Sequence, residues 1–143
     1  MNAKTFLAQN SIWEKEVIRK KEQLARDRSL LEKCTAAYGG VKVRTSGQAG
    51  LDAGLVRYEK SLRELDAAIL KLTEAKEEIE AVLSQVSNNL SRLVLEYRYL
   101  CCCDKMATIA DNLGISRSYA YVLEAAGLKE VDQILIGRPN HAA

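Results

Sequence analysis

Five residues in one short run have the chemistry of a surface that reads another molecule: Arg117, Ser118, Tyr119, Tyr121 and Val122. A guanidinium fork grips a phosphate or a guanine edge, hydroxyls donate and accept, and valine offers methyl contact. They follow Leu113-Gly114-Ile115-Ser116, a sequence that ends one helix, turns the chain and starts another. Gly114 supplies the left-handed residue, Ile115 fills the corner and Ser116 caps the second helix. In that arrangement Ile109, Ala110 and Leu113 face inward from the first helix, and Ala120 and Leu123 from the second. The five candidates are then left on the outer face and N-terminal end of the second helix, the position of a recognition helix in the major groove of double-stranded DNA. The spacing therefore predicts a helix-turn-helix domain over residues 89–136, followed by a flexible tail at 137–143.

Other constellations are absent. The cysteines are Cys34 and the run Cys101, Cys102, Cys103, without Cys-x-x-Cys spacing, and the only histidine, His141, lies in the expected tail. Reduced thiols acting as small apolar residues are expected, with no metal site and no cofactor. No phosphate-binding glycine loop, dinucleotide turn or Ser/His/Asp set is present, so the chain is not expected to be an enzyme.

The elements that must carry this module are helical. With 143 residues, one proline and eight glycines, breakers are few, and the composition points to an all-α protein. A first helix is expected from a cap at Asn10 or Ser11 to about Ala37, with Trp13, Val17, Leu24, Leu31, Cys34 and Tyr38 at 3-4 spacing, interrupted by Lys20 and Asp27. Gly39 and Gly40 should stop it, and a loop at about 38–50, with an extended piece from Val41 to Thr45, should follow. From Leu51 onward a second 3-4 repeat runs through Leu55, Tyr58, Leu62, Leu65, Ile69, Leu72, Lys76, Ile79, Leu83, Val86 and Leu90. That repeat predicts one continuous helix packed as a left-handed coiled coil. The fold expected is thus a long antiparallel coiled-coil helical hairpin over residues 1–88, followed by the helix-turn-helix domain. Leu55, Leu62, Leu65, Ile69, Leu72, Ile79 and Leu83 are its expected packing residues, against the first helix or a second copy of the chain in a homodimer.

Charge is uneven along the chain. Residues 1–45 hold ten basic and five acidic side chains, residues 46–88 five and eight, and residues 89–143 six and six, so the three parts carry +5, −3 and zero. Arg19, Lys20, Lys21, Arg26 and Arg28 read as a solvated face. A neutral C-terminal part implies modest affinity from counterion release. No stretch approaches the length of a membrane span and no secretory signal pattern is present, so a cytoplasmic location is expected.

Residues 92–128 resemble region 4 of sigma-70 factors. The arrangement over residues 10–135 resembles the ArpU/RinA-like late transcription regulators of phages and prophages. The stretches that carry the resemblance are Val41-Lys-Val-Arg-Thr-Ser46, the long heptad helix, Leu95-Glu-Tyr-Arg98-Tyr99 and Ile109-Ala-Asp-Asn-Leu-Gly-Ile-Ser116. It implies a transcription regulator that binds double-stranded DNA, with the hairpin used for dimerisation or for contact with RNA polymerase. The chain departs from such relatives at Cys101-Cys102-Cys103-Asp104, where they place a glycine-containing turn, near Met106, where they have an aromatic residue, and at Glu124-Ala125-Ala126, where they carry basic or histidine residues. Two other readings fit the same elements: a protein-interaction module that grips RNA polymerase or another host protein with a vestigial DNA face, and a packaging component of the small-terminase kind.

Overall fold

The computed structural model describes the backbone of residues 2–39 and 45–137, and the side chains of the same residues except 37–39 and 45–49. The extended piece expected at Val41 and most of the expected tail therefore lie outside the described residues. Among those described, every regular element is helical: α1 (Ala3–Gly39), α2 (Thr45–Leu83), α3 (Asn89–Leu95), a π-helical turn (Glu96–Leu100), α4 (Met106–Leu113) and α5 (Arg117–Gly137). No described helix is long and apolar enough to cross a membrane.

Three boundaries differ from expectation. Helix α1 begins at Ala3, because Asn2 accepts the Thr5 amide at 2.8 Å and so caps it; Asn10 lies fully buried inside the helix. Helix α2 begins at Thr45, six residues before the first leucine of its repeat. It also ends at Leu83, so the apolar spacing up to Leu90 spans two helices. The break is built by Asn88, whose side chain accepts the amides of Leu90 and Ser91 and starts α3, while the Ser87 amide donates to Glu130 at 2.8 Å.

The chain forms two compact units, grouped differently from a division at residue 88. One is Trp13–Leu72, the antiparallel pairing of α1 with α2. Its buried cluster is Val17, Leu65 and Ala68, with Leu24 and Leu72 half-buried beside it. Lys20 and Asp27, which interrupt the α1 stripe, are accommodated by partners on α2. Lys20 Nζ lies 2.9 Å from Glu64 Oε2, and the Ser61 hydroxyl donates to Asp27, which also accepts Gln23 Nε2 at 3.2 Å. The Ser61 hydrogen bond lowers the Asp27 carboxyl pKa below its ordinary value, against the opposing effect of burial, with further help from Gln23.

The buried row on α2 is rotated relative to the leucine repeat. In this unit Gly54, Ser61, Leu65 and Ala68 are buried and Tyr58 and Leu72 half-buried, whereas Leu55, Leu62 and Ile69 are exposed to 42%, 36% and 41%. Of the two partners expected for those three, α1 or a second copy of the chain, α1 leaves them uncovered. Large residues at 58, 65 and 72 alternate with small ones at 54, 61 and 68, and the small ones let the two backbones approach. A Cβ placed on Gly54 would stand 3.5 Å from Leu31 Cδ1, in ordinary contact. Cys34, counted with the α1 stripe, is exposed.

The other unit is Met1–Ile12 together with Thr73–Ala143. Ala3, Phe6 and Leu7 of α1 join Ile79, Val82, Leu83, Val86, Leu95 and Val131 in one buried cluster. Asn10 Nδ2 donates to the Tyr99 and Leu100 carbonyls at 2.9 and 3.3 Å and to Cys102 Sγ at 3.5 Å, which satisfies backbone oxygens left open at the end of the π-helical turn. The Ala3 amide donates to Asp132 on α5 at 2.6 Å. The start of the chain is thereby part of the core of its C-terminal unit.

Candidate functional site

The C-terminal site is built on a second buried cluster: Val94, Met106, Ile109, Ala110, Ala120 and Leu123, with Leu90, Tyr97, Cys103, Leu113 and Ile115 packed at its edge. These residues come from α3, the π-helical turn, α4 and α5, so the cluster fixes α5 against three neighbours. Between α4 and α5 the chain turns through Gly114 at φ 68°. The Gly114 amide donates to the Asp111 carbonyl at 3.2 Å and the Ile115 amide to the Ala110 carbonyl at 3.0 Å. This pair of bonds closes a helix with a left-handed residue, and Ile115 packs at the edge of the cluster that includes Ala110. A side chain with Cβ at 114 would be strained there, although nothing blocks the space. Ser116 Oγ then accepts the Tyr119 amide at 3.1 Å and caps α5.

That local structure leaves the five candidates exposed on the first two turns of α5. Tyr119, Tyr121 and Val122 are 46%, 50% and 65% exposed, and Arg117 and Ser118 are exposed as well. Helical periodicity separates them further. With Ala120, Leu123, Gly127 and Val131 pointing inward, the outer stripe runs through Ser118, Tyr121, Val122, Ala125 and Lys129, and Arg117 and Tyr119 stand on its two flanks. Lys129 was missed in the sequence because it lies beyond the stretch read as recognition helix; α5 runs on to Gly137, and position 129 falls in phase with Ser118 and Val122. Ser118, Ala125 and Ala126 are small, so the outer surface admits close approach of a partner.

Glu124 does not belong to that outer surface. It is turned toward the π-helical turn, where Arg98 Nε lies 2.9 Å from its Oε2 and its side chain is 13% exposed. The two charges are close enough to pair, although their alignment leaves Glu124 Oε2 and Arg98 Nη1 without a hydrogen bond. Burial, with Glu124 nearby, raises the Tyr99 phenol above its ordinary pKa. The acidic residue in the middle of α5 is therefore neutralised on its inner flank. No family model, no curated protein and no solved structure matches the chain.

The approach of α5 to α3 depends on Gly127. A Cβ there would stand 2.8 Å from Leu95 Cδ1 and 3.4 Å from Ser91 Cβ, and both neighbours are buried. Nothing in the sequence distinguished this glycine from an ordinary flexible position; its role comes from the crossing of two helices. The cysteine run forms the connection from the π-helical turn to α4. Cys102 adopts φ 55°, Cys103 packs at the cluster edge, and Cys101, like Cys34, is an exposed free thiol. Among the described residues no group of three His, Cys, Asp or Glu side chains is placed to hold a metal ion.

Proposed function

We propose that the chain is a DNA-binding transcription regulator of the phage-derived kind, using α4 and α5 as a helix-turn-helix that sets the N-terminal end of α5 in the major groove. The observation that carries this reading is the exposed set at the start of α5, presented on a helix whose opposite face is locked by the Ile109–Leu123 cluster and by the Gly114 turn. Ser118, Tyr121 and Val122 hold the centre of the stripe, where base edges would be met. Arg117 and Lys129 are the cations suited to phosphates, Arg117 from the flank beside the helix N-terminus. The resemblance to sigma region 4 and to the ArpU/RinA-like regulators supports the same assignment, with the α1–α2 hairpin serving dimerisation or contact with RNA polymerase.

One observation favours a second reading. Residues 89–143 carry as many acidic as basic side chains, so electrostatic attraction to DNA is small, and the exposed Tyr119, Tyr121 and Val122 would equally suit a protein surface such as RNA polymerase. The Arg117→Ala variant separates the two. As a flank contact to phosphate, its loss should weaken binding to every DNA sequence alike and reduce the slope of log affinity against log salt by about one, with circular dichroism unchanged. Unaltered DNA affinity in that variant would favour the protein partner.

A further inference from the structure

The rotated row on α2 leaves one side of the Trp13–Leu72 hairpin with an ordered pattern of its own. Leu55, Leu62 and Ile69 recur every seven residues along α2 and are exposed to 42%, 36% and 41%. Beside them, farther from α1, runs a second heptad row, Asp52, Glu59 and Asp66, all acidic and exposed. On α1 the exposed residues of the same side include Lys21 and Arg28, with Glu32, Thr35 and Ile18, and Arg28 Nε pairs with Glu32 Oε1 at 3.1 Å. Two clefts fix which side is which. One brings Lys20, Gln23 and Asp27 together with Arg57, Ser61 and Glu64, and the opposite one brings Arg28, Leu31, Glu32 and Thr35 together with Tyr58, the α2 position next to the leucine row. Across this side, then, lie a basic row, Lys21 and Arg28 with Glu32 at its edge, an apolar row and an acidic row, in that order.

We propose that this side is the interface between two copies of the chain, paired about a two-fold axis parallel to the hairpin. The proposal deepens the dimerisation reading of the hairpin by naming its surface and register. A rotation about that axis lays the basic row of each copy over the acidic row of the other and brings the two apolar rows together at the centre. An axis across the hairpin would instead oppose basic to basic and acidic to acidic. The heights also agree: in the antiparallel pairing that sets Asp27 beside Ser61 and Lys20 beside Glu64, Lys21 stands level with Asp66, Arg28 with Glu59, and Ile18 with Leu70. Lys21 therefore meets a carboxylate of the second copy, Arg28 stands between its own Glu32 and Glu59 of the second copy, and Ile18 and Leu70, exposed to 56% and 58%, cover one another. The result is four helices in which each is antiparallel to its neighbours, an arrangement that uses apolar residues at three positions of the heptad and not two.

The test is sedimentation of the full chain at micromolar concentrations in reducing buffer, which keeps the exposed Cys34 and Cys101 from bridging copies. Wild-type protein should be dimeric. The double reversals Lys21→Glu with Arg28→Glu, and Glu59→Lys with Asp66→Lys, should each raise the dimer dissociation constant by about tenfold or more, and an equimolar mixture of the two should recover dimers. Leu62→Asp, at an exposed position, should give folded monomer by circular dichroism. A monomeric wild type, reversals that dimerise as wild type does, or a mixture that stays monomeric would overturn the proposal. None of these readouts involves DNA, so failure here leaves the assignment of α5 untouched, and failure of DNA binding leaves this interface untouched.

Discussion

Replacing Leu65 by Asp should unfold the α1–α2 hairpin. Leu65 is 9% exposed and packs with Val17 and Ala68, with Leu24 and Leu72 closing the cluster from either side. A carboxylate at that position finds no cationic partner within the cluster, and an uncompensated buried charge costs about 3–5 kcal/mol, added to the lost burial of the leucine. That is comparable with the whole stability of a small domain. The control is Val56→Asp, on the same helix but 62% exposed and outside the basic, apolar and acidic rows that face the second copy, which should change stability by less than about 0.5 kcal/mol. Thermal melts followed by circular dichroism decide the matter, and equal losses in the two variants would mean that the buried row of α2 is misassigned.

A comparable loss is expected in the C-terminal unit from Ile109→Ala. Ile109 is fully buried at the centre of the cluster that joins α3, α4 and α5. Truncation removes three methyl or methylene groups and leaves a cavity that Met106, Val94 and Leu123 can only partly fill, so about 2–5 kcal/mol should be lost. Val122→Ala removes fewer atoms from a position that is 65% exposed, and its cost in stability should stay within about 0.5 kcal/mol. The two variants separate support from contact. If the outer stripe of α5 does the binding, Val122→Ala should reduce affinity in a protein that melts like wild type. Chemical denaturation of both, fitted with a common slope, gives the comparison; a milder effect for Ile109→Ala than for Val122→Ala would remove Ile109 from the core.

The helical class, the hairpin and the turn at Gly114 were legible in the residues because each rests on a local rule. A glycine followed by an apolar residue and a capping serine specifies the bonds seen at Gly114, Ile115 and Ser116 with little help from the rest of the chain. The inward positions Ile109, Ala110, Ala120 and Leu123 follow from helical periodicity alone. What was not legible depends on distant partners. The leucine repeat of α2 identified a stripe but not the direction in which it faces. Gly54, Ser61 and Ala68 take the inner row because small residues allow two helices to approach, while Leu55, Leu62 and Ile69 carry a stronger apolar signal from the side. Lys20 and Asp27 looked like interruptions of a seam, and their acceptance depends on Glu64 and Ser61, more than thirty residues away in sequence.

Asn10 shows the same limit from the opposite direction. As a polar residue ahead of an apolar run it has the attributes of a helix cap, and Asn2 has them too. Only the packing of Phe6 and Leu7 against Ile79, Leu83 and Val131 decides that the helix starts at Ala3, which leaves Asn10 buried and bonded to the carbonyls of Tyr99 and Leu100. Glu124 likewise read as a charge on the recognition surface until its pairing with Arg98 turned it inward. The break between Leu83 and Asn89 could have been found: Ser84, Ser87, Asn88 and Asn89 crowd the sequence there, and Asn88 is a strong cap, but the unbroken apolar spacing on both sides concealed it.

The central claim is that α5 reads DNA, and the most direct measurement is competitive binding with the full-length protein. Fluorescence anisotropy would be followed with labelled duplexes tiled across the region upstream of the protein's own gene, each against a shuffled duplex of equal length and composition, over a series of salt concentrations. At least one native duplex should be bound about tenfold or more tightly than its shuffled counterpart, with log affinity falling linearly with log salt. Equal affinity for native and shuffled duplexes at moderate salt, or no binding to any of them, would contradict the claim.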